Sequence, residues 1–199
     1  LKKADDRFEI GSLVGRQINQ NWSYSGLLNL KTQLLPGYRF YTEDGIEMRE
    51  QVSQFLSPLI LQAGLGWYYK KSTDFRVNLS PVTGRAILVS KKYTENLAEG
   101  KKYFGVDAQK SSKLFFGALI TGYYKKEIMK NIIWENNFSI YVNYLENTQN
   151  VDFDWNANLR FKVNSKVSGN FVLHLLYDDD LVSDLQVREL LGLGVNIDL

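Results

Sequence analysis

The sequence predicts an all-β fold, an antiparallel transmembrane β-barrel of the bacterial outer membrane, from three observations. Residues Phe153–Val163 alternate apolar and polar side chains at every step, which puts the apolar ones on one face of an extended strand. A similar run, Phe171–Tyr177, follows after a short polar turn, and two strands of this length match a barrel hairpin. Connections between the predicted strands are alternately short and long, as in such barrels.

Composition narrows the class of protein. The chain has 199 residues, enough for one domain, so we predict a single barrel domain over residues 1–199. The net charge of +2 argues against a nucleic-acid partner held by bulk electrostatics. There is no cysteine, which excludes disulfides and thiolate metal sites. We expect no cofactor.

Nine strands are predicted, in chain order. They are Arg7–Arg16, Trp22–Leu35, Phe55–Tyr69, Phe75–Pro81, Lys113–Lys125, Ile132–Leu145, Phe153–Val163, Ser168–Tyr177 and Leu185–Leu199. Two long polar loops are expected at Pro36–Gln54 and Thr83–Ser112, the second with Arg85–Val89 paired at its base. Shorter outer loops are expected at Glu146–Asn150 and Asp178–Asp184.

The connection lengths also predict orientation. Short turns face the periplasm and longer loops face outward in barrels of this type, so the C-terminus is expected in the periplasm and the first strand is expected to begin outside. An even strand count is the rule for bacterial single-chain barrels. We therefore expect three further N-terminal strands, about twelve strands in all by the same rule. The chain begins without an export signal, so we expect Leu1 not to be the start of the precursor.

Aromatic residues are frequent, at 14% of the chain. Several stand at predicted strand ends beside lysine-rich turns: Trp67, Tyr68, Tyr69, Tyr123 and Tyr124. This position is typical of the aromatic girdles that mark membrane interfaces, and we favour that interpretation over ligand stacking.

Several segments together suggest a family. The stretches Leu79–Ser90, Phe138–Trp155, His174–Asp180 and the terminal LLGLGVNIDL, with Trp22–Tyr38 upstream, resemble the Bacteroidota outer-membrane family labelled domain of unknown function 3078. The resemblance implies an outer-membrane location and a barrel fold. It carries over no catalytic residue. The terminal Leu199 departs from the aromatic residue that is usual there.

Strand parity directs a set of charged side chains toward the predicted lumen. They are Arg76, Glu135, Asp154, Arg160, Lys162, His174 and Arg188. Such residues either form a constriction that selects ions or fill the lumen with ion pairs. Charges of both signs in similar number favour the filled lumen.

His174 is the only histidine of the chain. It suits a catalytic base, as in barrel hydrolases, or a hydrogen-bonding group in the lumen. Its neighbours on the same strand face are Asn170, Val172 and Leu176, none of which is a nucleophile. We therefore predict a hydrogen-bonding role and no enzymatic activity.

Three consecutive acids, Asp178, Asp179 and Asp180, form a candidate outer-loop site. Carboxylates bind Ca²⁺ and could bridge divalent cations to lipopolysaccharide. The spacing does not match an EF-hand, and a solvated turn is the favoured interpretation. We predict no metal site.

Three functions remain open from the sequence. The favoured one is a non-catalytic accessory or structural subunit of an outer-membrane assembly for protein insertion, secretion or nutrient uptake. Its expected partners are outer-membrane lipid, lipopolysaccharide and other outer-membrane proteins, reached through the long loops or the barrel wall. The alternatives are a passive small-solute channel and, third, an outer-membrane hydrolase that uses His174.

Overall fold

The computed structural model describes residues 6–43, 45–146, 148–149, 151–164, 166–178 and 182–195. Thirteen strands lie in these ranges, with one 3-10 turn at Lys91–Tyr93. The strands are β1 Phe8–Gln17, β2 Trp22–Thr32, β3 Gly37–Glu43, β4 Ile46–Ser53, β5 Leu59–Ser72, β6 Phe75–Leu88, β7 Lys102–Tyr103, β8 Val106–Asp107, β9 Ser112–Met129, β10 Ile132–Asn143, β11 Val151–Lys162, β12 Val167–Asp178 and β13 Val182–Val195.

Nine of these strands form one sheet. Its order is β1-β2-β5-β6-β9-β10-β11-β12-β13, so each strand pairs with the next one that belongs to the sheet. The all-β, antiparallel part of the fold prediction and its nine strands are confirmed. The described sheet is open, with β1 and β13 as its edges. Two small hairpins, β3–β4 and β7–β8, lie outside it.

The register keeps side chains of one kind on one face. Phe138 of β10 lies opposite Trp155 of β11, which lies opposite Leu175 of β12. One step along, Asn156 lies opposite His174. Because successive residues point to opposite faces, rows of apolar and polar side chains alternate across the sheet.

The two faces differ in exposure, as β9 illustrates. Leu114 is 75% exposed and Phe116 43%, whereas their neighbours Phe115 and Leu119 are 3% and 2% exposed. A row of large exposed apolar side chains on one face of a sheet is typical of a surface that another protein or a membrane covers. Within the described ranges, no helix has the length and hydropathy that crossing a membrane requires.

The chain divides into two compact units. The first consists of Leu1–Leu13, Leu27–Gly64 and Gly84–Phe116, and it contains both long connections. Its buried apolar side chains are Ile87, Val89, Val106 and Phe115. The second consists of Val14–Gly26, Leu65–Thr83 and Gly117–Leu199, and it contains the tight turns. Leu119, Tyr141 and Ala157 are buried there.

Two segments that the sequence assigns to irregular loops have regular structure. The predicted loop Pro36–Gln54 is largely the β3–β4 hairpin, whose seven paired positions start with Gly37 opposite Ser53. The strand predicted from Phe55 begins at Leu59. A tight turn precedes it, in which Gln54 and Ser57 exchange backbone hydrogen bonds and Leu56 takes a positive φ of 57°.

Two other strands run further than the sequence predicts. Strand β9 continues to Met129, which reduces the predicted Lys126–Asn131 turn to two residues. Strand β6 continues past Pro81 to Leu88, but the buried positions change from even numbers (Ser80) to odd numbers (Thr83). Such a change of parity is typical of one extra residue in a strand. The sequence predicts that the strand ends at Pro81 because the regular alternation stops there.

A substitution at Gly117 tests how closely β9 and β10 approach each other. A Cβ at this position would overlap the carbonyl oxygen of Val142. Backbone cannot move aside cheaply, so we predict that Gly117→Ala lowers the free energy of unfolding by about 1–3 kcal/mol, the usual cost of overpacking. The measurement is the urea midpoint of the purified protein.

The matched control is Gly84→Ala, where the added methyl group meets no atom within 4 Å. Its midpoint should stay at or slightly above that of the parent, because alanine restricts the unfolded chain. Equal midpoints for the two variants would contradict the close approach.

Candidate functional site

The charged side chains singled out from the sequence share one face of the sheet. On β11, Asp154, Arg160 and Lys162 are separated by even numbers of residues, so they point to the same side. His174 lies opposite Asn156, and Arg188 lies opposite His174, which extends that face onto β12 and β13. Glu135 lies opposite Asn158 and extends it onto β10. That this face borders a lumen stays a prediction.

Glu135 is the centre of the first cluster on this face. Arg160 donates from Nη2 to Glu135 Oε2 at 2.5 Å, and the hydroxyl of Tyr123 donates to Oε1 at 2.8 Å. The guanidinium of Arg76 lies over the Tyr123 ring, 4.1 Å from its centroid. One carboxylate thus connects three strands, and both of its oxygens are hydrogen-bonded. The predicted residues Arg76, Glu135 and Arg160 belong to a single network.

His174 and Asp154 form the second cluster. Nε2 of the histidine lies 2.8 Å from Oδ1 of the aspartate. Ser139 is the direct cross-strand neighbour of Asp154 on its other side. The carboxylate therefore stands between the hydroxyl and the imidazole, whereas a serine hydrolase needs the imidazole between the other two. This order suits a hydrogen-bonding histidine better than a catalytic base.

The remaining predicted positions lie apart from these clusters. Lys162 is opposite Ser168 at the end of β11. Asp178 is the last residue of β12 and pairs with Val182, while Asp179 and Asp180 lie outside the described residues. No group of three or more His, Asp or Glu side chains that could hold a metal ion occurs in the described part of the chain.

A buried polar row on β2 and β6 was not predicted as a site. The Ser25 hydroxyl donates to Asn78 Oδ1 at 2.7 Å, and Asn78 Nδ2 donates to the Ser80 hydroxyl at 2.8 Å. Strand β5 lies between β2 and β6. At this level β5 contributes Gly66, which packs against the backbone of Leu79. No β5 side chain therefore separates Ser25 from Asn78. The even spacing of Asn78 and Ser80 is the signal that could have identified this row.

The opposite, apolar face carries a continuous row of aromatic rings. Five neighbouring strands, β2, β5, β6, β9 and β10, each contribute one: Trp22, Tyr69, Phe75, Tyr124 and Trp134. Successive ring centroids are 4.9, 6.2, 6.1 and 6.2 Å apart. The row lies near the tight turns, where the sequence predicts a girdle. It includes Trp22, Phe75 and Trp134, which were not among the aromatic residues predicted for the girdle.

A polar residue, Asn136, also lies on the apolar face. It is opposite Ala157 and is 6% exposed. The indole nitrogen of Trp155 donates to its Oδ1 at 3.2 Å, while its Nδ2 has no hydrogen-bond partner. The Trp155 ring thus covers a polar group that would otherwise meet an apolar surrounding.

The second long connection, residues 89–111, is a folded loop. Its centre is Thr94, whose side chain is fully buried. The Thr94 hydroxyl donates to the carbonyl of Lys110 at 2.6 Å, and the amide of Gln109 donates to the carbonyl of Thr94 at 2.8 Å. At the base of the loop, the amide of Val89 donates to the carbonyl of Ser111. These bonds join the two halves of the loop.

The folded loop is attached to the β3–β4 hairpin and to the turn that follows it. The Tyr103 hydroxyl donates to the carbonyl of Val52 at 2.5 Å. The amide of Ser90 donates to the Ser57 hydroxyl at 2.8 Å. The ring of Tyr93 stacks on that of Tyr103, with centroids 5.0 Å apart. The two long connections, both in the first unit, therefore form one structure, which we call the loop assembly (residues 37–57 and 89–111).

The hairpin of the loop assembly exposes aromatic and apolar side chains. Tyr38, Phe40, Tyr41, Ile46 and Met48 are each more than one-third exposed. The guanidinium of Arg49 lies 5.2 Å from the centroid of the Tyr38 ring. Aromatic residues and arginine are enriched where proteins bind proteins, so this surface is a candidate contact for a partner.

Tyr103 gives a pH test of the loop assembly. Burial is the main cause that raises the pKa of Tyr103 far above its ordinary value of about 10. As pH rises, the Tyr103 hydroxyl loses its proton at a lower pH in the unfolded chain than in the folded one. The stabilisation by the neutral hydroxyl is therefore complete below pH about 10 and is lost as pH rises from there toward the pKa of the folded state.

We predict that the tyrosinate absorbance that disappears in Tyr103→Phe develops only well above pH 10 in the folded protein. The measurement is the difference titration between parent and variant. The control is the same pair in concentrated urea, where the difference should develop near pH about 10. A difference that develops at the same pH in both conditions would show that the Tyr103 hydroxyl is solvated.

Comparison with known families gives a match at the start of the chain. The model of the family described as protein of unknown function (DUF3078) matches residues 1–38. It confirms the family label that the resemblance suggested, over a segment that includes β1 and β2. A search of curated proteins and a search of solved structures each found no match. At its N-terminal 38 residues, this chain is similar to the DUF3078 family.

Proposed function

We propose that the nine-stranded sheet is part of a transmembrane β-barrel of the bacterial outer membrane. Two observations support it: the exposed apolar face and the aromatic row beside the tight turns. The strands of the sheet have 10 to 18 residues and are long enough to cross a membrane, because a tilted membrane strand needs about 9–11 residues. An apolar face in lipid and a polar face toward a lumen give each row of the sheet a suitable surrounding.

The same proposal accounts for the open sheet. Exposed edges such as those of β1 and β13 carry unpaired backbone groups, which cannot lie in lipid. Further strands, about three by the even-count rule, would close the barrel. With short turns toward the periplasm, the loop assembly faces outward and the C-terminus lies in the periplasm.

Within this frame, the proposed function is that of a non-catalytic accessory or structural subunit of an outer-membrane assembly. The observation that carries it is the loop assembly. A connection that only links strands is usually short, and long ordered loops in compact domains are usually functional. Here hydrogen bonds join the two long connections, and one of them forms a hairpin with exposed aromatic side chains.

The polar face supports the same function. Glu135, Arg160 and Tyr123 satisfy one another, as do His174 and Asp154. The buried row from Ser25 to Ser80 is also joined by hydrogen bonds. Paired side chains fill space and leave less of it to a solute, so this face resembles the packed interior of a barrel more than a wide pore.

The membrane part of the proposal predicts a contrast between two substitutions on β11. Leu159 lies between Trp134 and Phe171 on the apolar face, whereas Lys162 is exposed on the polar face. In lipid, Leu159→Arg should lower the free energy of unfolding by about 2–4 kcal/mol near the bilayer midplane, less toward an interface. Lys162→Gln should have a small effect. The measurement is reversible unfolding from lipid vesicles.

The informative quantity is the difference in the free energy of unfolding between the two variants. Equal costs for Leu159→Arg and Lys162→Gln would mean that lipid does not cover the apolar face. A large cost only for Lys162→Gln would reverse the assignment of the faces.

The accessory role predicts recovery of a partner through the hairpin. The full-length tagged protein, extracted in mild detergent from its native membrane, should bring down other outer-membrane proteins in fixed ratio. Phe40→Ser with Tyr41→Ser should lower that recovery at least about tenfold, because aromatic anchors dominate interfaces. The control is Thr42→Ala with Glu47→Ala, a cross-strand pair on the same hairpin.

Recovery of the barrel alone would reject the accessory role. Equal recovery with both hairpin variants would keep a partner but move its contact elsewhere, to the barrel wall.

A passive channel is the second candidate, because the cations Arg76, Arg160 and Lys162 share the polar face. A channel should conduct ions in planar bilayers and prefer anions, and Arg160→Glu should weaken or reverse that preference. Conductance equal to that of empty detergent would reject it.

A further inference from the structure

A carboxylate lies on the apolar face of the sheet, on strand β13. Glu189 lies directly opposite Leu173 of β12. Leu173 is two residues from Leu175, so both point to the apolar face, and Glu189 points there with them. On β13 the same-face neighbours of Glu189 are Val187 and Leu191. An acidic side chain thus interrupts an apolar row, and it is absent from the charged residues that the sequence directs to the polar face.

Glu189 also lies at the middle of its strand. Seven residues of β13 precede it and six follow it. Its cross-strand partner Leu173 is equally central, with six residues of β12 before it and five after it. In the proposed barrel, a position this far from both strand ends lies in the hydrocarbon and not at an interface. A charged group at that depth is costly unless it is paired.

The surroundings of Glu189 do not provide that pairing. Its neighbours Leu173, Val187 and Leu191 have apolar side chains, and no described residue forms a hydrogen bond or ion pair with Glu189. Asn136, a polar residue on the same face, is 6% exposed and accepts a hydrogen bond from the Trp155 indole. Glu189 is exposed. The sheet therefore covers one polar group of its apolar face and leaves the other open to its surroundings.

We propose that Glu189 binds a cationic side chain, Lys or Arg, on a membrane-spanning segment of another outer-membrane protein. Charge complementarity determines the chemistry, because an ionised carboxylate only accepts hydrogen bonds and these two cations only donate them. This inference rests on the proposed function. It adds a contact inside the membrane to the contact expected at the hairpin, and both contacts serve the same accessory role.

A second copy of this chain is a poorer occupant of this face. A two-fold contact centred on Glu189 would bring two carboxylates together, and like charges repel. Lys126 is the cation on the apolar face among the described residues of β9 to β13, and it lies opposite Trp134. Strand β9 ends three residues later at Met129, so Lys126 lies near a strand end and not at the depth of Glu189.

The first test is recovery of the partner by the full-length tagged protein, extracted in mild detergent from its native membrane. Glu189→Gln and Glu189→Leu should each lower recovery at least about tenfold, because the cation of the partner would be left unpaired. Glu189→Asp keeps the charge and should retain more of the partner than either. The matched control is Glu127→Gln, which removes the same charge near the end of β9 and should change recovery by less than about threefold.

Charge reversal tests the chemistry of the recovered partner. Glu189→Lys should abolish recovery, and replacing the membrane-embedded Lys or Arg of the partner by Glu should restore it. Capture of a protein does not support the site unless it depends on the charge at position 189 in this way. Full recovery with Glu189→Leu would show that the face binds by apolar packing, and it would overturn the proposal.

The second test is reversible unfolding of the isolated full-length protein from lipid vesicles. Glu189→Leu should leave the urea midpoint unchanged or raise it, because it removes a carboxyl group from lipid. A lower midpoint would show that Glu189 is paired within its own chain, by a strand beside β13, and would overturn the proposal.

The two proposals fail in different ways. Recovery of a partner by the parent that does not depend on Glu189 would reject this site and leave the accessory role intact. Recovery of the parent barrel alone would reject the accessory role and this site with it.

Discussion

The period-two alternation of side chains is the constraint on which the rest of this structure depends. In an antiparallel sheet, backbone hydrogen bonds to the neighbouring strands satisfy the main chain, so the side chains alone distinguish its two faces. The direct pairs Phe138–Trp155 and Asn156–His174 show that the alternation stays in register across strands. A one-residue slip would move apolar side chains among the ion pairs. The alternation therefore specifies the two faces and limits the register of neighbouring strands to shifts by an even number of residues.

This constraint explains which parts of the fold were predictable. The strands Val151–Lys162 and Val167–Asp178 were predicted almost to their ends, because alternation is local and visible in the sequence. The contact between Asp154 and His174 was not predicted, although both residues were selected. It is a diagonal contact, and it depends on the register of two strands, which the sequence alone does not show.

The loop assembly was missed for a different reason. The β3–β4 hairpin leaves its apolar side chains exposed among charged ones, so its sequence looks like a polar loop. Its order depends on single contacts with distant residues, such as Tyr103 with Val52 and Ser57 with Ser90. Thr94 shows the same thing on a smaller scale, because a threonine in a lysine-rich segment gives no sign that it will be fully buried. Long-range polar contacts have no period by which they can be recognised.

The distribution of polar contacts separates the two parts of the proposed function. On the sheet, carboxylates such as Glu135 meet enough partners to be satisfied, and their contacts use the polar face for packing. In the loop assembly, by contrast, the β3–β4 hairpin leaves aromatic side chains exposed. Satisfied polar groups stabilise a fold, whereas covering exposed apolar side chains on an ordered segment lowers the free energy of the complex at a small cost in entropy. Binding is therefore expected at the loop assembly, with the sheet as its support.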